Sequence, residues 1–114
     1  MDRLRWTVEI SPEVETWYAS LKSKDKAMAD RAFDRLAEQG PAFRMPHARP
    51  LSSGLCELRF TCEGTARRVT SYIDVQRRII TLTIFRKQRQ AERREVARAR
   101  QAMRASQQAG GSDG

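Results

Sequence analysis

The chain has one histidine, two cysteines and few aromatic residues (7%), and it contains no Cys-x-x-Cys pair. So sparse a set of ligands carries no metal signature. Cys56 and Cys62 fall on one face of what reads as a strand, and six extended residues span roughly 20 Å, beyond disulfide reach. They read as small buried apolar side chains, and a reducing cytoplasm is the expected compartment. No stretch approaches the roughly 18 apolar residues of a membrane span, and MDRLRWTVEI lacks the apolar centre of a secretory leader. Acids are scarce too. Asp and Glu number 14 against 22 Lys and Arg, giving a net charge of +8 and a pI near 10.5. That excess is more than solubility requires, and it points to a polyanion or an acidic protein as partner.

What is present organises around residues 55–87, LCELRFTCEGTARRVTSYIDVQRRIITLTIFRK. Three short strands joined by tight turns fit this stretch. Cys56, Leu58, Phe60 and Cys62 alternate with Glu57, Arg59 and Thr61, the period of a half-buried strand. Continued through the next two strands, the alternation predicts Val69, Ser71, Ile73, Val75, Ile80, Leu82 and Ile84 on the buried side. Arg68, Thr70, Tyr72, Thr81, Thr83, Phe85 and Lys87 then share the open side. Glu63-Gly64 with Thr65 suits one hairpin turn, and Gln76-Arg77 the other.

Ahead of this meander, Arg5 to Ile10 reads as a strand with Trp6, Val8 and Ile10 on one side. Ser11 can cap a helix whose first position is Pro12, with Glu13 and Glu15 complementing the positive end of its dipole. Val14, Trp17, Tyr18 and Leu21 follow at helical spacing and predict a core-facing stripe. Ala29, Ala32, Phe33 and Leu36 give a second helix its packing face, and Gly40-Pro41 ends it. Residues 41–54 read as a loop stiffened by three prolines and carrying Arg44, His47 and Arg49. His47 titrates nearest neutral pH and is weighed as a general acid or base, although a loop histidine beside prolines is more often a surface residue.

The segment after Lys87 turns helical and basic. Val96, Ala99 and Met103 form a thin apolar stripe, while Arg86, Lys87, Arg89, Arg93, Arg94, Arg98, Arg100 and Arg104 have only Glu92 and Glu95 nearby. Clustered arginine of this kind suits phosphate contact, because binding releases counterions. The tail 105–114, ASQQAGGSDG, has too little apolar surface to order itself and is expected to be disordered. At 114 residues the chain makes one domain, residues 1–104. The fold class is α+β: strand, helical hairpin, three-stranded antiparallel meander and C-terminal helix, in the order βααβββα.

The element order, the set Pro46, Arg49, Leu51, Gly54-Leu55, Glu57-Leu58-Arg59, Gly64, Arg68-Val69 and Phe85-Arg86-Lys87, and the Arg-rich helix resemble the RelE/ParE toxin superfamily, in its HigB-like, phage-derived branch. The resemblance implies the toxin of a type II toxin–antitoxin pair, an mRNA endonuclease acting on ribosome-bound message without metal or other cofactor. It also implies a cognate protein antitoxin, a helix-turn-helix protein of the HigA kind, and no membrane partner.

Cleavage by attack of a 2′-OH on the adjacent phosphate needs a base, cations for the charge on the phosphorane and an acid for the 5′-oxygen. On the open face, Arg59 and Arg68 can clamp that phosphate with forked donors. Lys87 is the candidate for charge stabilisation and proton transfer, and Tyr72 for stacking a base or orienting the nucleophile. Glu57 is a candidate base, with a salt bridge to the arginines as its other reading. His47, Arg49, Arg86, Arg89, Arg93 and Arg94 are the candidate RNA and ribosome contacts. Relatives that carry a late His or Tyr as general acid have no counterpart here, which leaves Lys87, His47 or no group at all for that step. Two other functions fit the same residues: a ParE-like toxin that inhibits gyrase by binding, and a non-catalytic RNA- or ribosome-binding module.

Overall fold

A computed structural model describes residues 5–40, 47–88, 90 and 92–112. Its elements are β1 (Thr7–Glu9), α1 (Pro12–Ala19), α2 (Ser23–Gln39), β2 (Ala48–Pro50), a 3-10 turn (Ser52–Gly54), β3 (Cys56–Cys62), β4 (Thr65–Ile73), β5 (Arg78–Arg86) and α3 (Glu92–Ser112). The architecture is α+β, as the residue pattern predicts. The strands form one mixed sheet in the order β1-β5-β4-β3-β2. β1 runs parallel to β5, and the remaining pairs are antiparallel.

The start of α1 follows the sequence. The Ser11 hydroxyl accepts the Val14 amide at 3.3 Å and donates to the Leu82 carbonyl at 2.9 Å, so the cap also pins the helix to β5. At the other end of the hairpin, Gly40 closes α2 with φ 52° and ψ −131°. The Trp6 indole lies against it where a Cβ would be. Val14, Ala32 and Leu36 pack on Leu58, Val69 and Ile79, so the hairpin covers one face of the sheet. Trp17 meets Phe60 edge-on at 5.9 Å and belongs to this core, as its spacing predicts.

The second face is not left open. Ala99 and Met103 of α3 pack on Leu55, Tyr72 and Leu82. The faces of β5 differ from a simple alternation because the register slips between Val69 and Ser71: Val69 pairs with Ile84 but Ser71 with Thr81, so β5 holds one extra residue. Such a bulge inverts the side-chain sequence beyond it. Ile84 therefore joins the hairpin core, whereas Ile80 and Leu82, expected beside it, lie under α3. Buried Thr70 fills the irregularity, its hydroxyl accepting the Thr83 amide at 3.1 Å and meeting the Thr83 hydroxyl at 2.6 Å.

Three further expectations change. Val75, expected in the core, sits in the β4–β5 connection and is fully exposed (101%), because the turn begins at Asp74 rather than at Gln76. The proline loop contains β2, a short edge strand in which Arg49 is opposite Glu57; Pro41 and Pro46 lie outside the described residues. The tail expected to be disordered from 105 is helical through Ser112, and within it the Ser106 hydroxyl meets Tyr72 Oη at 2.7 Å.

Candidate functional site

β3 and β4 place Arg59 and Arg68 as direct partners across the ladder, on the face away from the helical hairpin. Like charges opposite one another are destabilising on a sheet. Glu57 offsets that repulsion. One residue pair along the same face, it is fully buried (0%), and its Oε1 lies 3.5 Å from the Nε of both Arg59 and Arg68. Burial pushes the Glu57 carboxyl above the usual carboxylate range; Arg68 opposes that, the charge of Glu92 adds to it, and Arg59 and Arg49 oppose it. Arg68 is moved down from the ordinary arginine value by its own burial and by Arg59, against the pull of Glu57 and Glu92.

The two arginines line a groove of about 600 Å³ between β3 and α2. His47, Arg59, Arg68 and Lys87 all line it, with Arg31 and Arg35 on the helical side. Lys87 stands just past the end of β5, its amide still bonded to the Ala66 carbonyl at 2.9 Å, and its side chain is exposed. His47 reaches the rim through the backbone bond from the Arg59 amide to its carbonyl, 2.7 Å. Its Nδ1 is 3.2 Å from an Arg35 terminal nitrogen, and since guanidinium only donates, Nδ1 accepts. A second hollow of similar size, between β1 and the hairpin, is edged by Glu15, Asp30 and Asp34 against Arg5 alone, the wrong sign for a polyanion.

The family model for the phage-derived protein Gp49-like family (DUF891) matches residues 16–104. The chain belongs to that family. Among solved structures, a chain of the toxin–antitoxin complex RelBE2 from Mycobacterium tuberculosis is similar at 18% identity and a TM-score of 0.53, with 73% of this chain and 99% of that chain covered. At that identity the likeness is one of fold. No curated protein matches the chain.

Other residues of this Gp49-like chain expected at the site are dispersed. Tyr72 shares the face of Arg68 but is buried (7%) beneath α3, bonded to Ser106, and offers no ring to a base. Arg86 is opposite Arg67, whose guanidinium lies 6.0 Å from the Trp17 ring, so Arg86 falls on the hairpin face and not in the groove. Arg49 is exposed on β2 and pairs with Glu92 at the start of α3, 3.7 Å. Arg93 and Arg94 are exposed on the first turn of α3, and Arg89 lies outside the described residues. Arg31, Arg35 and Glu92 are the participants that sequence reasoning missed. The i,i+4 spacing of Arg31 and Arg35 on α2 was the available signal, since it places them on one side of that helix.

Proposed function

We propose that this protein is the toxin of a type II toxin–antitoxin pair, a ribosome-dependent mRNA endonuclease that arrests translation in the cytoplasm. The observation that carries the reading is the opposition of Arg59 and Arg68 at the mouth of a groove also lined by Lys87 and His47. In this reading the scissile phosphate of the message sits between the two arginine forks. The 2′-oxygen bonds to phosphorus as its proton passes to solvent water, the bond from phosphorus to the 5′-oxygen breaks as that oxygen takes up a proton, and a 2′,3′-cyclic phosphate and a 5′-hydroxyl result. Forked donors aimed at the phosphorane stabilise charge that develops only in the transition state. Lys87 adds a third cation. Lys87 and His47 are the groove-lining groups able to carry a proton to the leaving 5′-oxygen, and no step calls for a metal ion.

Exposed Arg49, Arg93 and Arg94 extend the basic surface for ribosomal RNA, and Arg89 is the further candidate contact. The partner that holds the toxin inactive is a cognate antitoxin with a helix-turn-helix domain of the HigA kind. The similar RelBE2 chain belongs to a toxin–antitoxin complex, which supports such a partner.

Arg59→Ala tests the reading. Growth arrest on induction is expected to vanish, and cleavage of ribosome-bound message to fall by about 100- to 1,000-fold, the usual loss when one transition-state donor is removed. Undiminished cleavage would overturn the clamp. Gyrase–DNA breaks alongside intact message would instead favour a gyrase-directed toxin on the same fold.

A further inference from the structure

Glu57 was open to two readings, a base for the 2′-hydroxyl or a salt-bridge partner, and its surroundings decide between them. A general base must touch the proton it removes. Glu57 has no exposed surface, lies behind both guanidinium groups and is not among the residues lining the groove. Its neighbours are Arg49, opposite it on β2; Thr70, opposite it on β4; Arg59, one residue pair along β3; and Arg68. The remaining charge in range is Glu92 at the start of α3.

We infer that Glu57 is a positioning residue: its buried carboxylate faces the Nε edges of Arg59 and Arg68 from behind and so turns the terminal forks of both towards the groove. This rests on the nuclease reading above and deepens it. The placement has two consequences. A guanidinium faced at Nε directs its terminal fork away from the carboxylate, the orientation a phosphate clamp requires, and in Arg68 one terminal nitrogen also donates to the Arg67 carbonyl at 3.0 Å, which fixes that fork further. One carboxylate set against two arginines also leaves a single net positive charge, so the pair coexists on adjacent strands while still attracting phosphate. Neither Glu57 oxygen accepts a hydrogen bond among the described residues, so the hold is electrostatic and is lost when the carboxyl takes a proton. Because burial and Glu92 raise the pKa of Glu57 against the three arginines, that loss begins at higher pH than for an ordinary glutamate.

Glu57→Gln keeps the volume and removes the charge, and it is tested by single-turnover cleavage of ribosome-bound message across pH together with NMR of the arginine Nε–H groups. In the wild type, the Arg59 and Arg68 Nε–H resonances are expected to shift together with the Glu57 proton. The rate should fall with them on the acid side. In the variant both titrations disappear and the rate at neutral pH drops by about 100-fold, the scale of an ångström of misplacement, while affinity for the message is kept or rises with the added net charge. A purely structural role would lower rate and affinity together and leave the pH profile in place. A variant that cleaves normally, or wild-type Nε–H resonances that do not report a shared proton, would overturn the inference. If Glu57→Gln fails to fold, the wild-type titration decides alone. If the wild type shows the shared titration but cuts no message, the nuclease reading falls while the positioning role stands.

Discussion

The carboxylate of Glu13 on α1 accepts the main-chain amide of Ile84 at 2.8 Å, and its other oxygen accepts from Arg98 of α3. β1 pairs with β5 only as far as Ile80, so beyond that point β5 has no strand on its β1 side among the described residues. Glu13 and Arg98 cover this edge from opposite faces of the sheet, and Arg98 also reaches the Ile84 carbonyl at 3.3 Å. Glu13→Ala strands a part-buried amide and releases one end of the helix, so a destabilisation of about 1 to 2 kcal/mol is expected, nearly all from the lost amide bond and little from the half-exposed ion pair. Urea unfolding measures it. Hydrogen exchange should quicken at Ile84 and along the first turns of α3, and unchanged exchange there would show that the helix is held by its apolar stripe alone.

Gly40 is the position at which a single methyl group does most harm. An added Cβ would lie 2.4 Å from the Trp6 indole nitrogen, at a residue whose φ is +52°. Trp6 is itself held, its amide bonded to the Ala37 carbonyl at 2.8 Å and its ring covered by Arg77. Gly40→Ala therefore adds backbone strain to overpacking, and about 3 kcal/mol of stability should be lost. That is a large share of a small domain's total. A melting temperature within a degree or two of the wild type would mean that the indole moves aside freely.

Much of this was legible in the residue order, and the misses have physical causes. β3 and the start of β4 read correctly, since neither strand is bulged and Leu58, Phe60 and Val69 fall at period two on one face. β5 misled because Ile80-Thr81-Leu82-Thr83-Ile84 consists wholly of strand-compatible residues, with no glycine to mark the extra one. The core placement of Tyr72 depends on where α3 lands, a long-range fact that no local pattern carries. At the candidate site, Arg59, Arg68, Lys87 and His47 were identifiable as types and spacings. Glu57 was identifiable as a residue but not as a buried one, because burial of a carboxylate depends on the charges that its own strand, two other strands and a helix bring to it. Arg31 and Arg35 were passed over because basic residues on an amphipathic helix ordinarily read as solvated surface.

Tyr72→Phe separates packing from chemistry. The hydroxyl bond to Ser106 is the only part of the side chain removed, so a loss of about 1 kcal/mol is expected, with fraying of α3 beyond residue 105. Cleavage of message should persist near the wild-type rate, because the ring is covered by α3. A rate deficit as large as that expected for Arg59→Ala, in a variant of intact fold, would return Tyr72 to the site.

Asp74 and Glu57 respond to pH with opposite signs. Burial alone would lift the Asp74 carboxyl, but the Arg78 side chain and the Arg78 and Gln76 amides bond to its charged form and hold it below the usual carboxylate range. A folded pKa below the unfolded one adds stability that is present above the unfolded value and is lost as pH falls through the folded one. Glu57 is raised, so its share is present at low pH and is lost as pH rises through its folded value. Asp74→Asn should therefore lower the melting temperature by a few degrees at neutral pH, with the gap closing on acidification. Glu57→Gln should show the reverse trend, its stability relative to wild type improving as pH rises. The two melting curves against pH, measured on the same buffers, would lie closest to the wild type at the acid end and move from it in opposite directions as pH rises, and parallel displacement of both would contradict the assignment of either shift.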